Sequence, residues 1–136
     1  KNVLEHKAKA AVVHVAVGTY GGSIEEQADF VNTLRPYCDA VVVVTCFMDP
    51  ENKGDDTWKE NAKKLLSLTP GVALGLYECP LPYKRLLSPE LLRWCAETGR
   101  FHFHKDTSCD KAQIKAKIEA ARNVAGSPFR FFNANV

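Results

Sequence analysis

Five short apolar runs, spaced at nearly regular intervals, constrain the fold more than any other feature of the sequence. They start about 30 residues apart and alternate with amphipathic segments of helical period, a rhythm that indicates βαβ units and a parallel sheet. Regular repetition of this kind predicts either a β/α barrel or a doubly wound sheet. The predicted strands are 11–17, 40–47, 72–77, 101–105 and 129–132.

Polar capping residues precede four predicted helices. The clearest signal is the pair Ser23 and Glu26, which has the spacing of a capping box. No linker or low-complexity segment interrupts the alternation, so one domain is predicted. The predicted helices span 24–34, about 56–68, 89–97 and about 111–124, and their predicted caps are Ser23, Asp55 or Asp56, Ser88 and Asp110.

Composition and charge exclude several classes of function. The chain has 136 residues, 46% of them hydrophobic, and a formal net charge of +2, so a folded core is expected and a nucleic-acid partner is not. The one dense basic stretch, 111–117, is interpreted as the solvated face of a helix. No apolar run reaches the roughly 18 residues of a membrane span, and the charged segment 1–9 does not have the pattern of a signal peptide.

The cysteines and histidines do not form a recognisable metal motif. Five cysteines are spread widely without a Cys-x-x-Cys pair, which predicts reduced, mostly buried thiols in the cytoplasm rather than disulfides or a zinc site. His14, His102 and His104 lie in predicted strands, and the sequence suggests no nearby carboxylate to complete a ligand set. They are therefore interpreted as structural, and no metal is expected.

The stretch 101–108 carries the clearest chemical signal. Lys105 ends a short apolar strand, and alternation of side chains predicts that Phe101, Phe103 and Lys105 share one face. Burial disfavours the charged form of a lysine, and Schiff-base enzymes use this to keep the amine nucleophilic. The alternative is that Lys105 has already emerged into solvent where the strand ends.

Tyr77 ends a second apolar strand. Ala73, Gly75 and Tyr77 share one face, whose small residues suit a crowded barrel interior, and larger aliphatic residues form the other face. Tyr77 is therefore predicted to point inward at the carboxyl end of its strand, where β/α barrels carry their active sites. The alternative is a core tyrosine with a satisfied hydroxyl.

A glycine-rich segment, 18–23, joins the first strand to the first helix. Such a turn can hold an anion on its backbone N–H groups, but this one lacks the spacing of nucleotide-binding motifs. We expect the loop to shape the entrance of a pocket.

Together these segments resemble the dihydrodipicolinate synthase and N-acetylneuraminate lyase family. The family's Tyr-Asn-x-Pro motif is matched by Tyr-Glu-Cys-Pro at 77–80, and its Gly-x-Lys-(Asp/Glu) motif by Phe-His-Lys-Asp at 103–106. Tyr77 and Lys105 are 28 positions apart, which suits neighbouring strands joined by one helix. The resemblance runs along essentially the whole chain.

The resemblance implies a (β/α)8 TIM barrel, of which residues 1–136 form one partial domain of about five β/α units, the third to the seventh strands. It implies a lyase without a cofactor, in which Lys105 forms an imine with a 2-oxo acid such as pyruvate and Tyr77 relays protons. Gly18, Thr19 and Asn133 are the implied substrate-binding residues. The implied partners are the 2-oxo acid and an aldehyde, within a cytoplasmic homo-oligomer, by resemblance a tetramer.

Two loops depart from the family pattern and leave alternatives open. The arginine that follows the tyrosine motif falls on Pro82, with Lys84 or Arg85 as candidates to replace its charge. Residues 46–50 stand where synthases have paired tyrosines. These departures favour a divergent aldolase or hydro-lyase over an enzyme of lysine biosynthesis. The alternatives are a non-catalytic 2-oxo-acid-binding barrel and a doubly wound nucleotide-binding domain.

Overall fold

Strands and helices alternate along the chain as the spacing of the apolar runs predicts. The computed structural model describes residues 15–17, 20–127 and 129–134. The strands are β1 Val15–Val17, β2 Ala40–Val44, β3 Leu74–Tyr77, β4 Phe101–Asp106 and β5 Arg130–Asn133. The helices are α1 Ile24–Leu34, α2 Asp55–Leu68, α3 Pro89–Glu97 and α4 Lys111–Arg122, with 3₁₀ turns at Arg35–Tyr37 and Thr45–Met48.

Three of the four predicted caps are present. The capping box that begins α1 is complete, because Ser23 Oγ accepts from the Glu26 N–H at 3.2 Å and Glu26 Oε2 accepts from the Ser23 N–H at 2.7 Å. Ser88 and Asp110 cap α3 and α4 with their side chains. The prediction for α2 is wrong.

The N-cap of α2 is Gly54, and its φ of 121° suits glycine. Asp55 instead lies in the first turn, and its carboxylate accepts from Arg85 and Ser88 in the next loop. The helix therefore begins without a side-chain cap because its N-cap residue is a glycine.

The strand order of the sheet distinguishes the barrel from the doubly wound fold. The five strands pair in parallel in the order β1-β2-β3-β4-β5, with each strand beside its sequence neighbour. A doubly wound sheet reverses its order at a switch point, so this alternative is wrong. Between the described strands β1 and β5 there is no pairing, and the sheet is open.

The hydrophobic core lies between one face of this sheet, here called the outer face, and the helices. Val41, Val43, Leu74 and Leu76 contribute from β2 and β3, and the helices cover them with apolar stripes of period 3.6. No helix in the described ranges is both long and apolar enough to cross a membrane. The helix residues in this core are Ile24, Ala28, Val31, Trp58, Ala62, Leu65, Leu91, Leu92, Cys95, Ala96 and Ala121.

An irregularity in β4 corrects the predicted faces of its aromatic residues. Leu74 pairs with Phe101 but Gly75 pairs with Phe103, so β4 has one extra residue at this point. Phe101 is consequently buried in the helix-covered core against Trp58, while Phe103 lies on the opposite face. The prediction that Phe101 shares a face with Lys105 is wrong, because strict alternation fails at the bulge.

The other face of the sheet, here called the inner face, is open to solvent at both edges. Val15 and Val17 on β1 are 49% and 38% exposed, and Phe132 on β5 is 53% exposed. The pairing register places them on the same face as Gly75 and Lys105. In a closed barrel this face is the packed interior.

Candidate active site

A row of four register partners crosses the inner face at the carboxyl ends of the strands. Val44 pairs with Tyr77, Tyr77 with Lys105, and Lys105 with Phe132. Directly paired side chains of neighbouring strands lie close together. The structure therefore brings Tyr77 and Lys105 side by side, as the two motifs predict.

The ammonium of Lys105 lies over the ring of Tyr77. Its Nζ is 4.3 Å from the ring centroid, within the range of a cation–π interaction. Apart from this contact Lys105 is exposed. The prediction that it lies on a buried face is therefore not met in the part of the chain that the structure describes. In the described part of the chain Lys105 lies on β4, one strand from the edge of the sheet, and this position leaves its amine open to solvent.

Tyr77 is partly buried between β2 and β4. Burial raises the pKa of its phenol, and the neighbouring thiol of Cys79 adds to this effect. The hydroxyl therefore keeps its proton at neutral pH and can donate it. A phenol in this state, next to an amine, suits proton transfer to a group bound at Lys105.

An aromatic floor lies below this pair. Gly75 leaves room for the Phe103 ring, which a β-carbon at position 75 would meet at 2.1 Å. Phe103 in turn packs edge to face on Phe132, with centroids 6.2 Å apart. The floor fixes the depth of the inner face directly below Tyr77 and Lys105.

A buried ion cluster, formed by Glu78, His104, Asp106 and Lys117, lies on the outer face behind the same strand ends. Lys117 Nζ donates to Glu78 Oε1 at 2.6 Å and to Asp106 Oδ2 at 2.7 Å. His104 Nε2 is 3.4 Å from Glu78 Oε1 and 3.9 Å from Asp106 Oδ2. All four side chains are at most 1% exposed.

The carboxylates of this cluster are held in their charged form. Burial alone would raise the pKa of Asp106, but His104, Lys117 and Ser108 together hold that pKa well below its ordinary value. The pKa of Glu78 is lowered in the same way. Burial would raise it, but His104 and Lys117 outweigh burial. The cluster is thus a stable ion network, with Lys117 as its buried cation.

Two sequence interpretations change at this cluster. Lys117 was expected on a solvated helix face but is 1% exposed, because it lies on the same stripe of α4 as the buried Ala121. His104 was thought to lack a neighbouring carboxylate, yet Glu78 and Asp106 both lie within reach. These three residues have the geometry of a ligand set, but the ammonium of Lys117 already occupies the cation position between the carboxylates.

Lys84 and Arg85 are neighbours in sequence but have different surroundings, because Arg85 belongs to a second buried group of charged residues. Arg85 Nε is 3.1 Å from Asp49 Oδ2, and its Nη2 is 2.8 Å from Asp55 Oδ1. Its guanidinium is therefore bound to two carboxylates of the protein itself. Lys84 is exposed, and its Nζ donates to the carbonyl of Thr107 at 2.9 Å, two residues beyond Lys105.

Of the three implied substrate-binding residues, the structure describes Asn133. Gly18 and Thr19 lie outside the described residues. Asn133 pairs with Asp106 and is exposed, and alternation places it on the face opposite Phe132 and Lys105. Its role in binding stays a prediction.

Sequence reasoning missed the buried ion cluster, although a signal for it exists. Glu78 and Asp106 directly follow Tyr77 and Lys105, so two apolar strands end on carboxylates. Lys117 lies four residues before Ala121, on the apolar stripe of its helix. A lysine in such a position must be paired with acids, because an isolated buried ammonium is very costly.

Comparison with known proteins supports the fold. No protein-family model and no curated protein matches the sequence. Dihydrodipicolinate synthase from Thermotoga maritima matches 98% of the chain with a TM-score of 0.79 and 18% identity. The same enzyme from Bacteroides thetaiotaomicron matches 93% with a TM-score of 0.70 and 20% identity. The 2-keto 3-deoxygluconate aldolase from Picrophilus torridus matches 98% with a TM-score of 0.67 and 15% identity.

These similarities confirm the fold class predicted from the sequence. The chain has the fold of a (β/α)8-barrel segment, of the kind found in aldolases. In particular, the resemblance to dihydrodipicolinate synthase is confirmed as a structural similarity. The chain covers 44%, 41% and 47% of the three matched chains, less than half of each.

Proposed function

We propose that this chain carries the reactive lysine of a Schiff-base-forming lyase that acts on a 2-oxo acid such as pyruvate. The observation that supports it best is the contact of Lys105 with Tyr77 at the carboxyl ends of neighbouring strands, 4.3 Å from Nζ to ring centroid. Barrels of this class carry their chemistry at that end of the sheet. The similarity in fold to a synthase and an aldolase agrees with the proposal.

In the proposed reaction, the neutral amine of Lys105 attacks the ketone carbon and forms a carbinolamine. The former carbonyl oxygen accepts a proton and leaves as water, which gives the imine. Loss of a proton from the adjacent carbon converts the imine into an enamine. The enamine carbon bonds to the aldehyde carbon, and the aldehyde oxygen takes up a proton and becomes a hydroxyl group. Cleavage is the same sequence in reverse. Tyr77 donates a proton to the oxygen that leaves as water. It takes a proton back from the water that later hydrolyses the product imine and frees the amine of Lys105.

The substrates of the reaction and the residues that bind them are proposals too. A 2-oxo acid and an aldehyde are the substrates that the chemistry requires, and Gly18, Thr19 and Asn133 stay proposed binding residues. The homo-oligomer and its cytoplasmic location stay predictions. We further propose an aldolase or hydro-lyase rather than a lysine-biosynthesis enzyme. Pro82 stands in place of the arginine, and Arg85, one of the two candidates to replace its charge, is bound to Asp49 and Asp55 instead.

The test is reductive trapping of the imine in the complete protein. The protein is incubated with pyruvate and sodium borohydride, and the adduct is located by intact mass and peptide mapping. We expect one reduced pyruvyl adduct, on Lys105, in the wild type and in the control variant Lys111→Ala. Lys105→Ala should give none. Turnover retained by Lys105→Ala would contradict the assignment.

A non-catalytic 2-oxo-acid-binding barrel is the second candidate. The exposure of Lys105 favours it, because a solvated lysine lacks the desolvation that promotes a neutral amine. Calorimetry separates the two functions. Pyruvate binding that is unchanged in Lys105→Ala, together with no trapped adduct in the wild type, would support the receptor.

A further inference from the structure

The buried ion cluster is attached to the two proposed catalytic strand ends, one carboxylate on each. Glu78 directly follows Tyr77 on β3, and Asp106 directly follows Lys105 on β4. One ammonium, that of Lys117, lies within 2.7 Å of both carboxylates. A single cation from α4 therefore holds the two strand ends together from the outer face.

We propose that Lys117 is a positioning residue, which acts through Glu78 and Asp106 to fix the spacing and orientation of Tyr77 and Lys105. The inference rests on the proposed imine chemistry of Lys105. It assigns no contact between Lys117 and the substrate, because the ammonium lies on the outer face of the sheet with Glu78 and Asp106.

Additional hydrogen bonds make the connection stiff. The Glu78 N–H donates to the carbonyl of Lys105 at 3.2 Å, and Thr107 Oγ1 donates to the carbonyl of Glu78 at 2.6 Å. The N–H groups of Thr107 and Leu87 donate to the two oxygens of the Glu78 carboxylate, at 3.1 and 2.9 Å. Movement of the Glu78 carboxylate is therefore transmitted to the backbone that carries both proposed catalytic residues.

Removal of the cation has a consequence that depends on pH. Without Lys117 the two buried carboxylates repel each other, and His104 is the basic group among the described residues that lies within 4 Å of both. Repulsion separates the strand ends unless the carboxylates take up a proton. A protein with this defect should recover its geometry as the pH falls, whereas a general loss of packing would not be relieved by acid.

The experiment measures the rate at which the complete protein traps pyruvate in the presence of sodium cyanoborohydride, which survives mild acid, across a pH series. We expect Lys117→Met to lower the rate by about tenfold to a hundredfold near neutral pH, since small misplacements of reacting groups have effects of this size. The ratio of its rate to that of the wild type should rise as the pH falls. Circular dichroism and thermal unfolding establish that the variant is folded at each pH.

Two further variants test whether the effect depends on the cation at position 117. Lys117→Arg keeps a cation and should restore most of the rate. Lys115→Met removes a lysine of the same helix that is 78% exposed, and it should behave as the wild type. Folded Lys117→Met that traps pyruvate at the wild-type rate at every pH would overturn the inference. Absence of an adduct in the wild type would instead remove the proposed function, and this inference with it.

Asp106→Asn decides the question if Lys117→Met does not fold. The substitution removes one carboxylate charge and keeps the shape of the side chain. Lys117 then has only a neutral acceptor at the end of β4 and holds it less firmly. We expect a similar loss of trapping rate, here without recovery at low pH, because no pair of like charges remains. A wild-type rate in folded Asp106→Asn would overturn the inference equally.

Discussion

Phe103 lies across Gly75 so closely that a β-carbon at position 75 would come within 2.1 Å of Cζ of the ring. The two residues are register partners on β3 and β4, on the inner face. Glycine is thus required here for the close approach of a neighbouring side chain. The ring that fills the space forms the floor below Tyr77 and Lys105.

Gly75→Ala should destabilise the protein by about 1–3 kcal/mol, the usual cost of overpacking. Phe103 must move, and its edge-to-face contact with Phe132 is lost with it. Urea unfolding at equilibrium measures the change. The double variant Gly75→Ala with Phe103→Leu should recover part of the stability, and a single Gly75→Ala variant as stable as the wild type would contradict the packing described here.

Tyr77→Phe tests the role of the phenol apart from that of the ring. Phenylalanine keeps an aromatic face for the ammonium of Lys105, but it has no proton to donate. We expect turnover to fall by about 10²- to 10⁴-fold, the usual contribution of a positioned acid or base, while pyruvate is still trapped on Lys105 at a reduced rate. Steady-state kinetics beside borohydride trapping separates the two steps. Unchanged turnover would exclude Tyr77 as the proton relay.

Much of the fold could be predicted because its signals are local. The bounds of α1 and α3 agree with the predicted 24–34 and 89–97, since Ser23, Glu26 and Ser88 act within one turn of their helices. The position of Tyr77 beside Lys105 followed from two motifs and one strand–helix–strand unit. The bulge in β4 could not be predicted, because it is a property of the pairing of two strands and leaves no mark in either alone.

The buried ion cluster was missed for a similar reason. Lys117 is 39 residues from Glu78 in sequence and 11 from Asp106, and only the packing of α4 on β3 and β4 brings them together. Periodicity could show that Lys117 lies on an apolar stripe. It could not show which acids neutralise its charge, because that depends on the register of three separate elements.

The stability of the protein should fall steeply in acid because of Asp106 and Glu78. Both have pKa values below their ordinary ones in the folded state, so the unfolded chain binds protons more readily and acid favours unfolding. The ordinary pKa values are 4.5 for Glu78 and 3.8 for Asp106. The stabilisation from each carboxylate is fully present above its ordinary pKa and is lost as the pH falls below it. Asp106→Asn should show a shallower decrease in unfolding free energy between about pH 5 and pH 2, measured by urea unfolding, and an equal slope would contradict this origin.

Arg85 should contribute far more to stability than an exposed arginine of the same region. Its guanidinium connects the loop after β3 to Asp49, which is fully buried, and to the half-exposed Asp55. Arg85→Ala leaves the Asp49 charge uncompensated and should cost about 3–5 kcal/mol. Arg93 pairs with Glu97 on the surface, so Arg93→Ala should cost less than about 1 kcal/mol. Equal midpoints of urea unfolding for the two variants would contradict the structural role of Arg85.

Lys84 is the remaining cation of the loop that follows Tyr77, and it should contribute to binding of the substrate carboxylate. Its Nζ donates to the carbonyl of Thr107, and among the described residues no carboxylate forms a salt bridge with it. Two of its three protons are therefore available for an anion beside Lys105. We expect Lys84→Ala to raise the KM for the 2-oxo acid by about tenfold with little change in kcat, since a hydrogen bond to a charged group is worth about 1.5–3 kcal/mol at most. Lys84→Arg should keep most of the affinity, and a KM that is unchanged in Lys84→Ala would place the carboxylate elsewhere.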